Sequence, residues 1–171
     1  MNLSFPSNAE KDNVFNAVED NLASQHFIII AQDRQRPWGG FFVIDEQQAE
    51  KFTSIYFPHI NKNELLTGNK LSPKILIVAP KKRLSWQYHH RRAEIWKLVA
   101  GNVAVIKSDT DIETEPINLT PGDILQLKQG ERHRLTGLDE WGIIAEIWRH
   151  TDIHHPSDEN DIVRVQDDFG R

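Results

Sequence analysis

The first seventy residues and the rest of the chain carry different rhythms of apolar and polar positions. From Ser7 to Leu22 polar residues dominate, and Val14, Phe15 and Val18 recur at helical spacing. That pattern predicts a short helix with Ser7 or Asn8 as its cap. The run FIIIA (27–31) is compact, apolar and β-branched, which predicts a strand. RPWGG (36–40) is turn-like, and FFVID (41–45) predicts a second strand. Residues 46–57, EQQAEKFTSIYF, suit a helix that packs Phe52, Ile55 and Tyr56. NKNELLTGNKLSP (61–73) reads as loop.

From Pro73 onward short apolar runs recur: KILIVAP, RLSWQYHH, EIWKLVAG, NVAVIKSD, ILQLKQGE, HRLTGL and WGIIAEIW. Runs at intervals of ~8–12 residues, closed by Gly, Pro or Asp, predict an all-β sandwich or barrel. The expected architecture is mainly β: an antiparallel barrel over residues 73–150, with residues 1–72 an α+β extension packed on it. Residues 151–171 close the chain. Among their charges stand Ile162, Val163, Val165 and Phe169, so this segment is expected to be tied down.

A length of 171 residues fits one domain. The chain has no cysteine, which excludes a disulfide scaffold, a thiol nucleophile and a thiolate metal site. Any metal must then be held by His, Asp, Glu or amide oxygen. MNLSFPSNAEKDN lacks a signal-peptide pattern, and no apolar run approaches the ~18–20 residues that span a bilayer. A soluble, cytoplasmic protein without a membrane partner is expected. The net charge of -5 argues against a nucleic-acid partner.

Side chains alternate along a strand, so Gln87, His89 and Arg91 would share one face, with Tyr88 and His90 on the other. Glu94 follows His89 by five positions, and Gly101 marks the next hairpin. Downstream, Gly122, Gly130 and His133 form a second group. Brought together on neighbouring strands, the two groups would supply Gln87, His89, Glu94 and His133 to one divalent ion. Two imidazoles and two oxygen ligands suit zinc first, with Fe, Mn, Co or Ni also compatible. His26, His59, His154 and His155 are read as structural. Trp86, Trp96 and Trp148 are read as packing residues.

The spacing Gln87-x-His89-x4-Glu94-x6-Gly101 resembles the first cupin motif, with glutamine at its first histidine position. Gly122-x5-Lys128-x-Gly130-x2-His133 resembles the second, with lysine where proline is usual. RLSWQYHHRRAEIW (83–96) is similar to the LSLQxHHHRxEHW signature of type II mannose-6-phosphate isomerases. RPWGG, GERHRL (130–135) and DIVRVQDDFGR (161–171) resemble that family's RPWGSY, G-x-x-HRL and DIVRxEDxYGR. The resemblance implies a cupin jelly roll, in many members fused behind a GDP-mannose pyrophosphorylase domain. Two positions depart from it: Arg91 and Ile95 stand where the signature has histidine. The Gln, His, Glu, His set is shared with type I phosphomannose isomerases, which implies an intact site here. It leaves Arg91 as a cation on the pocket face of its strand.

The activity implied is a metal-dependent aldose–ketose isomerisation of a sugar phosphate, mannose 6-phosphate to fructose 6-phosphate. Arg92 matches the signature's arginine, for which the resemblance implies an active-site role. Arg92 or Arg91 would stabilise developing charge, and Glu146 or His90 would move the proton. Arg91, Lys97, Lys128 and Arg134 are candidates for holding the phosphate. The rival readings are a non-catalytic cupin that binds a sugar or nucleotide sugar, and another metal-cupin enzyme such as a dioxygenase or sugar epimerase. A homodimer is the expected assembly.

Overall fold

The computed structural model describes residues 3–61, 65 and 70–170. The first helix, α1, runs Lys11–Ser24 and buries Val14, Phe15, Val18 and Leu22 along one side. It begins later than its polar lead-in suggests, because the Ala9 amide donates to the Pro6 carbonyl and turns the chain before the helix. Neither Ser7 nor Asn8 caps it; Glu10 holds the N-cap position, without a side-chain bond. Strands β1 (Ile29–Asp33) and β2 (Gly39–Ile44) pair antiparallel. A single 3-10 turn, Glu46–Gln48, then leads into α2 (Ala49–Tyr56). Phe52 and Tyr56 are buried as expected, but Ile55 is 42% exposed and Thr53 takes the inward position. The predicted loop 61–73 lies largely outside the described residues.

Eight of the remaining strands follow the short apolar runs or the turns between them. They are β3 (Lys74–Val78), β4 (Trp86–Tyr88), β5 (Arg92–Ala100), β6 (Val103–Ser108), β7 (Ile117–Leu119), β8 (Ile124–Leu127), β9 (Arg132–Gly137) and β10 (Gly142–His150). The tail adds β11 (Val163–Gln166), which pairs with β4, so the closing segment is indeed fastened. The strands form two antiparallel sheets, ordered β1-β2-β3-β10-β5-β8 and β11-β4-β9-β6-β7. The amino-terminal strands therefore extend the first sheet through the β2–β3 pairing rather than lying apart from it.

Period-two alternation gives that first sheet two apolar faces. Ile75, Ile77, Ile95, Ile143, Ala145 and Ile147 point outward and pack beneath α1 and α2 with Phe15, Phe42 and Phe52. Leu76, Val78, Leu98 and Ile144 point inward and meet Val103, Val105 and Leu135 of the second sheet. Each such fully buried aliphatic side chain contributes roughly 1.5–3 kcal/mol. The inward face becomes polar toward one end of the barrel: beyond Leu76, Leu98 and Ile144 come Lys74, Trp96, Glu94, Arg92, Glu146 and Trp148. That end holds the site.

The β5–β6 hairpin depends on Gly101. Its φ is +81°, and a Cβ there would stand 1.9 Å from the Trp141 carbonyl oxygen. Only glycine fits both the backbone conformation and the approach.

Candidate metal centre

His89 lies just beyond the end of β4, Glu94 on β5 and His133 on β9, and all three side chains are 2% exposed. One ligand atom from each can be chosen so that the three lie within 4.8 Å of one another. His89 Nδ1 is 2.6 Å from the Asp161 carbonyl oxygen and His133 Nδ1 is 2.9 Å from that of Glu131. A carbonyl can only accept, so each Nδ1 carries the proton and each Nε2 presents its lone pair to the cluster. Backbone carbonyls that accept from Nδ1 commonly fix metal-binding imidazoles in this way.

The ligand atoms are spaced for an ion. His89 Nε2 lies 3.2 Å from Glu94 Oε1, and His133 Nε2 lies 3.4 Å from Glu94 Oε2. Donors bonded at ~2.1 Å to one tetrahedral centre stand about 3.4 Å apart. Among the described residues, Glu94 Oε2 and His133 Nε2 are buried without a hydrogen-bond partner. Orphaned buried polar atoms are costly, and a divalent cation would satisfy both at once. The donor set of two imidazoles and a carboxylate fits the zinc-like ions expected from the sequence. Gln87 sits directly opposite His133 across the β4–β9 ladder and lines the same cavity. Its Oε1 accepts from the Ser85 hydroxyl at 2.6 Å.

Arg92 is the cation of this site. Its Nε donates to Glu94 Oε1 at 2.7 Å, and Nη2 lies 3.2 Å from His89 Nε2. Its Nη1 reaches Ser157 Oγ at 2.9 Å and the Asp158 carbonyl at 3.0 Å, while the guanidinium stacks 3.7 Å from the Trp148 ring. Burial, reinforced by Arg92 and His133 against the pull of Glu94, lowers His89 to about 4. Burial alone would raise Glu94, but His89, Arg92 and His133 outweigh it and hold the carboxyl well below its ordinary value.

Glu146 faces the same cavity from β10 and accepts a hydrogen bond from Trp96 Nε1 at 2.9 Å. Burial and the neighbouring Glu94 raise it to about 7, against Lys74, Arg92 and the Trp96 bond. The cavity, about 120 Å³, is also lined by Arg36, Lys74 and, from the closing segment, Glu159, Ile162 and Arg164.

The sequence candidates divide by position. His89, Glu94 and His133 meet, with Gln87, Arg92 and Glu146 around the same cavity. Arg91 does not line it. Strand β4 ends at Tyr88 because the Asp161 carboxylate accepts from the His90 and Arg91 amides, both at 2.9 Å. That turn breaks the alternation, sends the half-exposed Arg91 toward Asp158 and Asp161, and aims Arg92 inward. Lys97 falls on the outward face of β5, between inward Trp96 and Leu98. Lys128 is exposed in the turn before β9. Arg134 is fully buried elsewhere, bonded to the Leu84 carbonyl, Glu113 and Gln166. Sequence reasoning passed over Lys74 and took RPWGG, which carries Arg36, as a turn first and a pocket lip second. Lys74, a charge opening the apolar run KILIV, was a visible signal.

The fold and site together define a cupin: a double-sheet antiparallel barrel with a His–Glu–His group in one end. Residues 44–167 match the family described as mannose-6-phosphate isomerase C-terminal, and the chain belongs to that family. It is 28% identical over 137 residues to the xanthan biosynthesis protein XanB of Xanthomonas campestris pv. campestris (strain B100), covering 80% of this chain and 23% of that protein. It is 29% identical over 151 residues to a mannose-1-phosphate guanylyltransferase of Salmonella montevideo, covering 88% of this chain and 26% of that protein. The chain thus spans about a quarter of these relatives. The capsular polysaccharide assembling protein CapF of Staphylococcus aureus shares the fold, with a TM-score of 0.52 at 15% identity over 82% of this chain and 34% of that one. No helix among the described residues is long and apolar enough to cross a membrane.

Proposed function

We propose that the protein is a metal-dependent aldose–ketose isomerase acting on a sugar phosphate, mannose 6-phosphate to fructose 6-phosphate. The observation that carries this reading is the buried His89–Glu94–His133 group, whose Glu94 lines one cavity with Arg92 and Glu146. His89, Glu94 and His133, with Gln87 beside them, would hold a divalent ion, zinc first. Such an ion supplies positive charge that polarises the sugar's carbonyl end. Glu146 moves the proton: it takes one from C2 of the open-chain aldose and returns it at C1, while the hydroxyl proton passes from O2 to O1. A carboxyl raised to about 7 is suited to both directions of that transfer. Arg92, fixed by Trp148 and Ser157, faces the charge that develops on the sugar oxygens.

The relatives named for xanthan biosynthesis and mannose-1-phosphate guanylyl transfer support sugar phosphates as the substrate class. One observation favours a second reading, a cupin that binds a sugar or nucleotide sugar without turnover. Arg92 already engages Glu94 and His89, two of the three ligands.

Metal analysis of the purified protein and mannose 6-phosphate turnover with and without chelator decide between them. The isomerase reading expects a bound divalent ion, turnover that chelation abolishes, and a loss of at least a hundredfold in E146Q. No ion and no turnover would leave the binding reading standing. Oxygen uptake with Fe(II) would point instead to a dioxygenase.

A further inference from the structure

Lys74 is a buried lysine that the metal group does not use. It opens β3 on the inward face, and its side chain is 6% exposed. Its ammonium lies 4.1 Å over the Trp148 ring and 5.2 Å from that of Phe41, and the carboxylate that meets it is Glu159. Burying an ammonium costs several kcal/mol unless a partner offsets it. Lys74 stands in the cavity wall with an exposed carboxylate as its counter-charge.

The partner is unusual in how it is held. Ser157 and Asp161, on either side of Glu159, are buried and fastened: Ser157 N donates to His150 Nδ1 at 2.9 Å, and Ser157 Oγ to Asp161 Oδ2 at 2.6 Å. Arg92 binds the same two residues. Glu159 between them is 63% exposed. Its carboxylate can therefore swing away while both anchors stay in place. The Lys74 ammonium then has no carboxylate within ion-pair distance among the described residues, a place that another anion can take.

We propose that Lys74 is the phosphate anchor of this cavity and that Glu159 is its tethered competitor, a carboxylate that the substrate's phosphate displaces. The proposal rests on the sugar-phosphate reading and names where that substrate's charge sits. Lys74 is paired with Glu146, and Glu146 with Trp96, across β3, β10 and β5. The backbones of β3 and β5 are thus about 10 Å apart. With its phosphate at Lys74, an open-chain hexose would extend past Glu146 toward the His–Glu–His group.

Calorimetric titration with inorganic phosphate and with mannose 6-phosphate tests this in wild type, E159Q and K74M. E159Q, at an exposed position, is expected to bind both at least fivefold more tightly, and K74M at least tenfold more weakly. Mannose, lacking the phosphate, should gain nothing from E159Q. Unchanged or weaker phosphate binding in folded E159Q overturns the proposal even if K74M fails to fold. Turnover in the same proteins separates the two readings. The phosphate pattern without turnover sinks the isomerase and keeps the anchor. Turnover with KM unchanged in E159Q sinks the anchor and keeps the isomerase.

Discussion

Replacing Glu94 by glutamine tests the electrostatic centre of the barrel. Gln keeps the shape and one acceptor for Arg92 Nε, but removes the negative charge beside a guanidinium whose side chain is 6% exposed. Removing one partner of a buried pair typically costs ~3–5 kcal/mol, since the other charge is left uncompensated. The retained acceptor and the carbonyls of Asp158 and Asp161 place the expected cost at the low end, about 3 kcal/mol. For a chain of this size that corresponds to a Tm lowered by roughly 6–12 °C. The assay is urea or thermal unfolding at pH 7 in excess chelator. Repeated with Zn²⁺ at a hundred times its Kd, wild type should gain about 2.7 kcal/mol, and E94Q little of it. If E94Q in chelator matches wild type within about 1 kcal/mol, the Arg92–Glu94 pair is not what keeps the guanidinium buried.

Three further outcomes are expected. Glu146 has a folded value of about 7 against an ordinary 4.5, so the folded protein binds the extra proton between those pH values. Its stabilisation is complete below pH 4.5 and lost as pH rises toward 7; in chelator, the wild-type stability profile should fall across that window relative to E146Q. G101A forces a Cβ to 1.9 Å from the Trp141 carbonyl at φ +81° and should cost at least about 2 kcal/mol or abolish soluble expression, read by urea unfolding. R134Q should cost about 3 kcal/mol by loosening the β11 segment that Gln166 ties to it, read by urea unfolding.

Much of this fold was legible because most barrel strands are apolar runs closed by Gly, Pro or Asp. Strand β7 was not, since Ile117, Asn118 and Leu119 are too few between Pro116 and Pro121 to show a period. The outward face of β1 was hidden for another reason. FIIIA reads as core, yet Ile28 and Ile30 are 56% and 59% exposed, because the run does not show which face of an edge strand lies uncovered. The His–Glu–His group was legible through spacing that two motifs share. Which arginine faces it was not, because the Asp161 carboxylate ends β4 from about seventy residues downstream.

The cross-strand register of β10 has a consequence for how this site tolerates change in chain length. Glu146 pairs with Lys74 on one side and Trp96 on the other, and Trp148 pairs with Glu94. The proposed anchor, the proposed proton carrier and a candidate metal ligand are thus neighbouring rungs of one ladder. One residue inserted or deleted between Ile144 and Glu146 would turn Glu146 and Trp148 outward together and bring Ala145 or Ile147 into the cavity. The chemistry can therefore be retuned by substitution within β10 but not by altering its length. The largely exposed stretch 109–116 is crossed by no ladder, so a residue added there would disturb the Trp86–Asp111 and Arg134–Glu113 bonds but no strand register.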